Sequence, residues 1–364
     1  MTPVTEDIGK RPTASARAAP VGSLAGIDDV ILVTGGAGFI GCRVVERLLE
    51  LGFRNVRCLV RPSADPGRLA KLSRDVEVIR GNLLSREDCI AATENAAVII
   101  HLAAARGERS FPDAFMNSVV TTRNLMEGAL HHGCLQRFVN VSSFSVYDNS
   151  GANPVLDETC PVEKRPELRG DAYCFAKVKQ DEIVAEYGRK FALPYVILRP
   201  GHVYGPGNEA ISGRVGIGTF GVFLHLGGSN TIPLTYVDNC AEAIVLAGLA
   251  PGIDGEIFNV VDDQLPSSRR FLRLYKRSVR RFGSIYLPHA LSYALCSSWG
   301  WYANWSEEQV PPVFNRRRWY ANWKKTRYTN EKLKARLGWS PKITTAEGLA
   351  RYFAACRQKE AQHA

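Results

Sequence analysis

Tyr173 and Lys177 stand four residues apart in DAYCFAKVKQDEIV, a stretch with helical periodicity, so both side chains share one helix face. An ammonium beside a phenol stabilises the phenolate, which is what a general acid/base made from tyrosine requires. Upstream, Ser142-Ser143-Phe144-Ser145 directly follow Arg137 to Val141, a run that reads as a strand. Ligands of open parallel sheets sit at the carboxyl edge of the strands, and a serine hydroxyl there can hydrogen-bond a reacting oxygen.

A second group of residues suits a phosphate. The run Val30 to Val33 leads into Thr34-Gly35-Gly36-Ala37-Gly38-Phe39-Ile40-Gly41, and a helical pattern follows at once. Glycines at 35, 38 and 41 allow a tight turn, close backbone approach to a pyrophosphate and close helix-to-strand contact. The helix start then offers N–H groups and positive potential to the anion. A carboxylate at the end of the next strand would receive the ribose hydroxyl of NAD, but the segment reads Cys58-Leu59-Val60-Arg61-Pro62-Ser63. An arginine there suits the 2′-phosphate of NADP, so NADP is preferred over NAD.

These residues need a frame that holds them together. From Asp29 onward, short β-rich runs (30–33, 56–60, 76–79, 97–102, 137–141 and 195–198) alternate with helical segments, which predicts a parallel sheet. Continuous runs such as VIIHLAA indicate strands covered on both faces, so the fold class is doubly wound α/β. The expected organisation is a disordered tail over 1–28, a dinucleotide-binding domain over 29–200 with returns at about 236–262, and a smaller, discontinuous C-terminal substrate-binding part from 201–235 and 263–364. Nine glycines among residues 201–228 suggest a mobile loop over the ligand.

With 364 residues, 45% hydrophobic and 23% charged, the chain is neither disordered nor fibrous. Its nine cysteines are scattered without CxxC or zinc-ligand spacing, which points to free thiols in a reducing, cytoplasmic setting and to no structural metal. The longest apolar run, 96–105, is too short to span a bilayer, and the first 28 residues lack a secretory apolar core.

The net charge of +10 has a location. Residues 267–282 carry seven Lys or Arg and 316–327 carry six, with no acid in either, so the remainder is net −3. The first segment predicts an amphipathic helix capped by Ser267 or Ser268, with Phe271, Tyr275, Val279 and Phe282 on one stripe. Its basic face, followed by the apolar stretch 285–301, suits a diphosphate substrate or peripheral contact with an anionic membrane; a solvated helix before a core helix is the simpler explanation of the pattern. Trp319, Tyr320 and Trp323 among basic residues invite a nucleic-acid reading, but packing is simpler and no nucleic-acid module is recognisable. Arg214 is a candidate phosphate contact and His202 a candidate substrate contact, whereas His101, ending an apolar strand, reads as a core histidine.

The ordered set TGGAGFIG (34–41), HLAA (101–104), Asn117 before TTRNLM, VSSFSVY (141–147), YCFAK (173–177), LRPGHVYGPG (198–207), YVDN (236–239) and LGWSP (337–341) resembles the extended short-chain dehydrogenase/reductase family, the NAD(P)-dependent epimerase/dehydratase superfamily with a Rossmann domain. The resemblance implies Ser143, Tyr173 and Lys177 as catalytic residues, with Lys177 also holding the nicotinamide ribose. It implies cofactor contacts at Gly35, Gly38, Phe39, Ile40, Gly41, Arg61, Asn82, Leu83, Leu102, Ala103, Ala104, Asn117, Tyr173, Lys177, Pro200 and Val203. Asn82 replaces the more frequent family Asp. Phe144 and Ser145 stand where family dehydratases place an acid and a second acid or lysine, which counts against water elimination by that route.

The implied chemistry is hydride transfer at a secondary alcohol or ketone, most naturally of a nucleotide diphosphate sugar, by an epimerase or reductase that forms a homodimer in many relatives. An alternative is a reductase of an apolar alcohol, similar to 3-beta-hydroxysteroid dehydrogenases or dihydroflavonol reductases. A non-catalytic NADP sensor is the third reading, and the intact Ser143, Tyr173 and Lys177 argue against it.

Overall fold

The computed structural model describes residues 22–63, 69–70, 72, 75–104, 110–151, 153–219, 221–306, 309–310 and 313–363. Seven strands form one parallel sheet: β1 (Val30–Thr34), β2 (Val56–Val60), β3 (Glu77–Arg80), β4 (Ala96–His101), β5 (Arg137–Val141), β6 (Tyr195–Pro200) and β7 (Ile257–Val260). Their spatial order is β7-β6-β5-β4-β1-β2-β3, so the winding direction reverses between β1 and β4, and a crevice opens at the carboxyl ends of those two strands.

The sheet has this form because both of its faces are apolar. Successive side chains of a strand point to opposite faces. Ile31 and Val33 of β1, with Val98 and Ile100 of β4, meet Val44, Val45 and Leu48 of helix α1 (Gly41–Glu50). Leu32 and Ile99 point the other way, into a core with Leu125, Met126 and Val184. That second layer comprises α2 (Arg86–Thr93), α3 (Thr121–His132) and α4 (Ala172–Phe191); α5 (Val237–Leu249) joins α1 on the first face. A five-residue helix, Phe111–Phe115, enters α3 through one π-helical turn, Met116–Val120, which contains Asn117.

The elements outside the sheet have their own cores. His202–Tyr204 and Leu234–Tyr236 pair in parallel, and Tyr204 and Tyr236 pack with Phe271, Tyr275, Tyr352 and Phe353 from α6 (Ser268–Ser278) and the C-terminal helix. Ser267 caps α6, its Oγ accepting from the Arg270 N–H at 3.2 Å, and Phe271 and Tyr275 are buried as the amphipathic stripe requires. The helix stops at Ser278, short of Val279 and Phe282. Then come α7 (His289–Trp305), α8 (Arg316–Trp323), α9 (Glu331–Leu337) and α10 (Thr345–His363). Trp319 and Trp323 of α8 are buried with Leu226 and Cys296, so these aromatics are packing residues.

Two expectations are corrected. Residues 22–28, assigned to a disordered tail, lie on the sheet layer: the Leu24 N–H donates to the Leu249 carbonyl at 2.7 Å and Ala25 is buried. Residues 1–21 lie outside the described residues. The glycine-rich stretch 201–228 is not a loop throughout; Gly216–Thr219 and Val222–His225 form an antiparallel pair, with Ser284–Tyr286 beside it. Glycine serves strand pairing here, since a Cβ on Gly216 would lie 2.1 Å from the Leu224 carbonyl oxygen.

All nine cysteines are free, and seven are buried. Among the described residues no helix is long and apolar enough to cross a membrane, and no group of three His, Cys, Asp or Glu could hold a metal.

Candidate active site

At the end of β1 the backbone turns through Gly35, whose φ of +72° is in the left-handed region that favours glycine. The Gly38 N–H closes the turn on the Gly35 carbonyl at 2.9 Å. A Cβ on Gly41 would stand 2.1 Å from that same oxygen, so only glycine lets α1 start so close to β1. No side chain caps α1 and its first turn holds no acid, which keeps positive potential at this end of the helix. The turn therefore fits a pyrophosphate.

Arg61 and Ser63 follow β2 and line the same cleft beside Gly81 and Leu83. Asn82 does not line it. Its Oδ1 accepts from the Leu84 N–H at 3.0 Å, shaping the turn before α2. Asn117, in the π-helical turn, is also not among the lining residues.

The end of β4 carries Leu102, Ala103 and Ala104 into the cleft and anchors a buried polar chain. The Ala103 N–H donates to Thr34 Oγ1 at 3.3 Å; Thr34 Oγ1 lies 2.7 Å from His101 Nδ1, and His101 Nε2 lies 2.8 Å from Thr122 Oγ1. Thr122 gives its hydroxyl proton to the Ser118 carbonyl and accepts from Gln180 Nε2 at 2.8 Å. The assignment that satisfies every member has Nε2 of His101 protonated and Nδ1 accepting from Thr34. Burial, assisted by the Lys177 charge, pushes the His101 pKa down to about 3, so the ring is neutral throughout the working range. His101 is thus a satisfied core histidine.

That chain ends on Lys177. Its Nζ donates to the Val141 carbonyl at 2.7 Å and to Gln180 Oε1 at 2.8 Å, and the residue is only 4% exposed. Burial pushes its pKa down to about 8, while nearby Asp181 pulls it upward. Asp181 is held by Arg199, 3.1 Å away, and by Asn140 Nδ2 at 2.9 Å. One turn before Lys177, Tyr173 is 37% exposed, at the start of α4, where Asp171 Oδ1 accepts from the Tyr173 and Cys174 N–H groups. Ser143 follows β5; its Oγ accepts from the Ser145 N–H at 3.1 Å, which orients it and leaves its own proton to donate.

Ser143, Tyr173 and Lys177 line one cleft of about 960 Å³ together with Gly35, Gly38, Phe39, Ile40, Gly41, Arg61, Leu83, Leu102, Ala103, Ala104, Pro200, His202, Val203 and Arg214. Arg214 donates to the Ala321 carbonyl at 2.7 Å and to the Tyr328 hydroxyl at 3.3 Å. No carboxylate lies within 4 Å of it among the described residues, and burial, with the nearby Arg169 charge, pulls its guanidinium below its ordinary value. Such a cation favours an anion. The sequence reading missed Asn208, Ser212 and Asn322, which also line the cleft. Asn208 and Ser212 carried no motif, and Asn322 arrives on α8, more than a hundred residues from the other lining segments.

A doubly wound sheet with a three-glycine first turn opening on its switch-point crevice defines the dinucleotide-binding class of α/β folds. The model of the NAD dependent epimerase/dehydratase family matches residues 31–260, and the chain belongs to that family. It is 28% identical over 253 residues to an Arabidopsis thaliana trifunctional UDP-glucose 4,6-dehydratase/UDP-4-keto-6-deoxy-D-glucose 3,5-epimerase/UDP-4-keto-L-rhamnose-reductase, covering 63% of this chain and 36% of that protein. The chain thus spans about a third of that relative's length. It is 24% identical over 375 residues to an Arabidopsis 3beta-hydroxysteroid-dehydrogenase/decarboxylase, covering 91% of this chain and 80% of that protein. The fold is that of UDP-glucuronic acid 4-epimerase from Bacillus cereus, a structure solved with UDP-glucuronic acid and NAD: TM-score 0.69, 23% identity, 90% of this chain and 99% of that one.

Proposed function

We propose that this chain is an NADP-dependent epimerase or reductase of a nucleotide diphosphate sugar, working in the cytoplasm. The observation that carries the reading is that Ser143, Tyr173 and Lys177 line the same cleft as the glycine turn and as Arg214, which has no carboxylate partner within 4 Å among the described residues. Residues 201–235 and 263–364 would supply the substrate side.

The dinucleotide phosphates would lie on Gly35 to Gly41 and the α1 N-terminus, with Arg61 and Ser63 at the ribose that carries the 2′-phosphate. When bound, the nicotinamide exchanges a hydride with the carbon bearing the reacting oxygen. Tyr173 takes the hydroxyl proton on oxidation and returns it on reduction. Ser143 donates a hydrogen bond to that same oxygen. Lys177 keeps a positive charge one helical turn from the phenol, and the two acceptors fixed on its ammonium hold it there. Arg214 favours the substrate diphosphate.

A second reading, a reductase of an apolar alcohol, draws support from the match to the hydroxysteroid dehydrogenase/decarboxylase, which extends over nearly the whole chain. Native mass spectrometry separates the two. The nucleotide-sugar reading expects one nicotinamide dinucleotide per chain and binding of UDP or dTDP that Arg214→Leu weakens. Dinucleotide binding without any nucleoside diphosphate would favour the apolar substrate, and no dinucleotide binding would end both.

A further inference from the structure

Helix α7 is built as no core helix would be. Only Ser292, Cys296 and Ala303 of its 17 residues are buried. Leu291, Leu295, Trp299 and Tyr302 form an exposed stripe at helical spacing, with Leu295 53% exposed; Trp301 and Trp305 are each 68% exposed. Ile285 and Tyr286, in the strand just before it, are exposed as well. Large apolar side chains gathered on one face mark a surface that something covers.

The charge around this face indicates what. Residues 264–306 hold seven Lys or Arg and no Asp or Glu. Arg270, Arg273 and Arg277 lie along one exposed face of α6, and the guanidinium of Arg269 sits 5.3 Å from the centre of the Tyr286 ring. Lys276 Nζ donates to Ser284 Oγ at 2.6 Å, so the basic helix adjoins the strand that feeds α7. On the other flank Arg316 of α8 stands 6.0 Å from the Tyr293 ring. Of these cations, Arg280 is engaged by an acid, Glu360, at 3.0 Å.

We propose that the exposed face of α7, with the basic rim from α6 and α8, docks on an anionic lipid bilayer. A helix of 17 residues is roughly 25 Å long, short of the ~30 Å hydrocarbon core, so it would lie in the interface rather than span it. Leucines would enter the acyl boundary, tryptophan and tyrosine would sit at headgroup depth, and the arginines would meet lipid phosphates. Two copies of the chain related by a two-fold axis would set one basic rim against the other, which disfavours self-association through this face.

Flotation of the full chain with vesicles of pure phosphatidylcholine, and with equimolar phosphatidylcholine and phosphatidylglycerol, tests this. Binding should require the anionic vesicles and weaken as salt rises, because screening shortens from ~10 Å at 0.1 M to ~3 Å at 1 M. Arg270→Gln/Arg273→Gln/Arg277→Gln should lower the partition coefficient at least about tenfold. Brominated lipid should quench wild-type tryptophan emission, and Trp301→Ser/Trp305→Ser should weaken that quenching, with Trp299 left as the remaining tryptophan of the stripe. All substituted residues are exposed and outside the cleft, so circular dichroism and dinucleotide binding should be unchanged. Failure to float with anionic vesicles, equal binding to neutral ones, or quenching that the double tryptophan variant leaves undiminished would overturn the proposal. So would sedimentation showing a wild-type dimer that the tryptophan variant dissociates without any vesicle binding.

Discussion

Replacing Gln180 with leucine removes one of the two acceptors that hold the Lys177 ammonium, and the consequence has a sign and a size. Burial pushes the Lys177 amine down to about 8, so the charge that favours the Tyr173 phenolate is present below that pH and is lost as pH rises through it. A hydrogen bond to a charged group is worth ~1.5–3 kcal/mol and a pKa unit is ~1.4 kcal/mol, so Gln180→Leu should lower the alkaline limb of kcat/KM by about one to two units. Gln180→Glu sets a carboxylate where Oε1 stands 2.8 Å from Nζ and should raise the limb instead. The assay is the pH profile of kcat/KM on the nucleotide sugar that the wild type turns over, with dinucleotide affinity as the folding control. Opposite shifts separate an effect on Lys177 from general damage to the site. If both variants move the limb in the same direction, or neither moves it, the Lys177 charge does not control the reaction.

Other substitutions probe separate parts of the account. Arg61→Ala should weaken NADPH about tenfold or more while leaving NADH within twofold, read by cofactor fluorescence; an equal loss for both would remove Arg61 from the 2′-phosphate. Gly41→Ala puts a methyl group 2.1 Å from the Gly35 carbonyl oxygen, so thermal stability and dinucleotide binding should fall together; an unchanged Tm would show that the turn relaxes. Asp181→Ala leaves buried Arg199 without its carboxylate and should cost about 3–5 kcal/mol in urea unfolding, with the alkaline limb moving down as Lys177 loses a supporting charge.

What the sequence made legible is what depends on short spacing. The glycines at 35, 38 and 41 are constrained by a turn that a Cβ would block, and Tyr173 and Lys177 share a face because the helix repeats every 3.6 residues. β4 read clearly because all six of its residues are buried between two helical layers, which removes polar alternation. What depends on remote parts of the chain did not show. Arg214 reads as a candidate phosphate contact, but the partners that hold it, Ala321 and Tyr328, lie more than a hundred residues away and leave no local signal. Thr122 and Gln180 lie in TTRNLM and DAYCFAKVKQDEIV, but no spacing shows that they connect Lys177 to His101. Glycine density was read as looseness at 216–225, where it instead allows two strands to approach. The sequence left α7 between core and surface, because an apolar run has the same composition whether it faces protein or solvent.

The most direct measurement compares the wild type with Tyr173→Phe after each has been loaded with NADP or NAD and mixed with a panel of UDP- and dTDP-sugars, following nicotinamide absorbance at 340 nm. The wild type should form reduced cofactor with at least one sugar. The variant should bind the dinucleotide equally well and form it about 10²- to 10⁴-fold more slowly, the usual contribution of a positioned acid/base. Equal rates in the two proteins would contradict the assignment of proton transfer to this phenol.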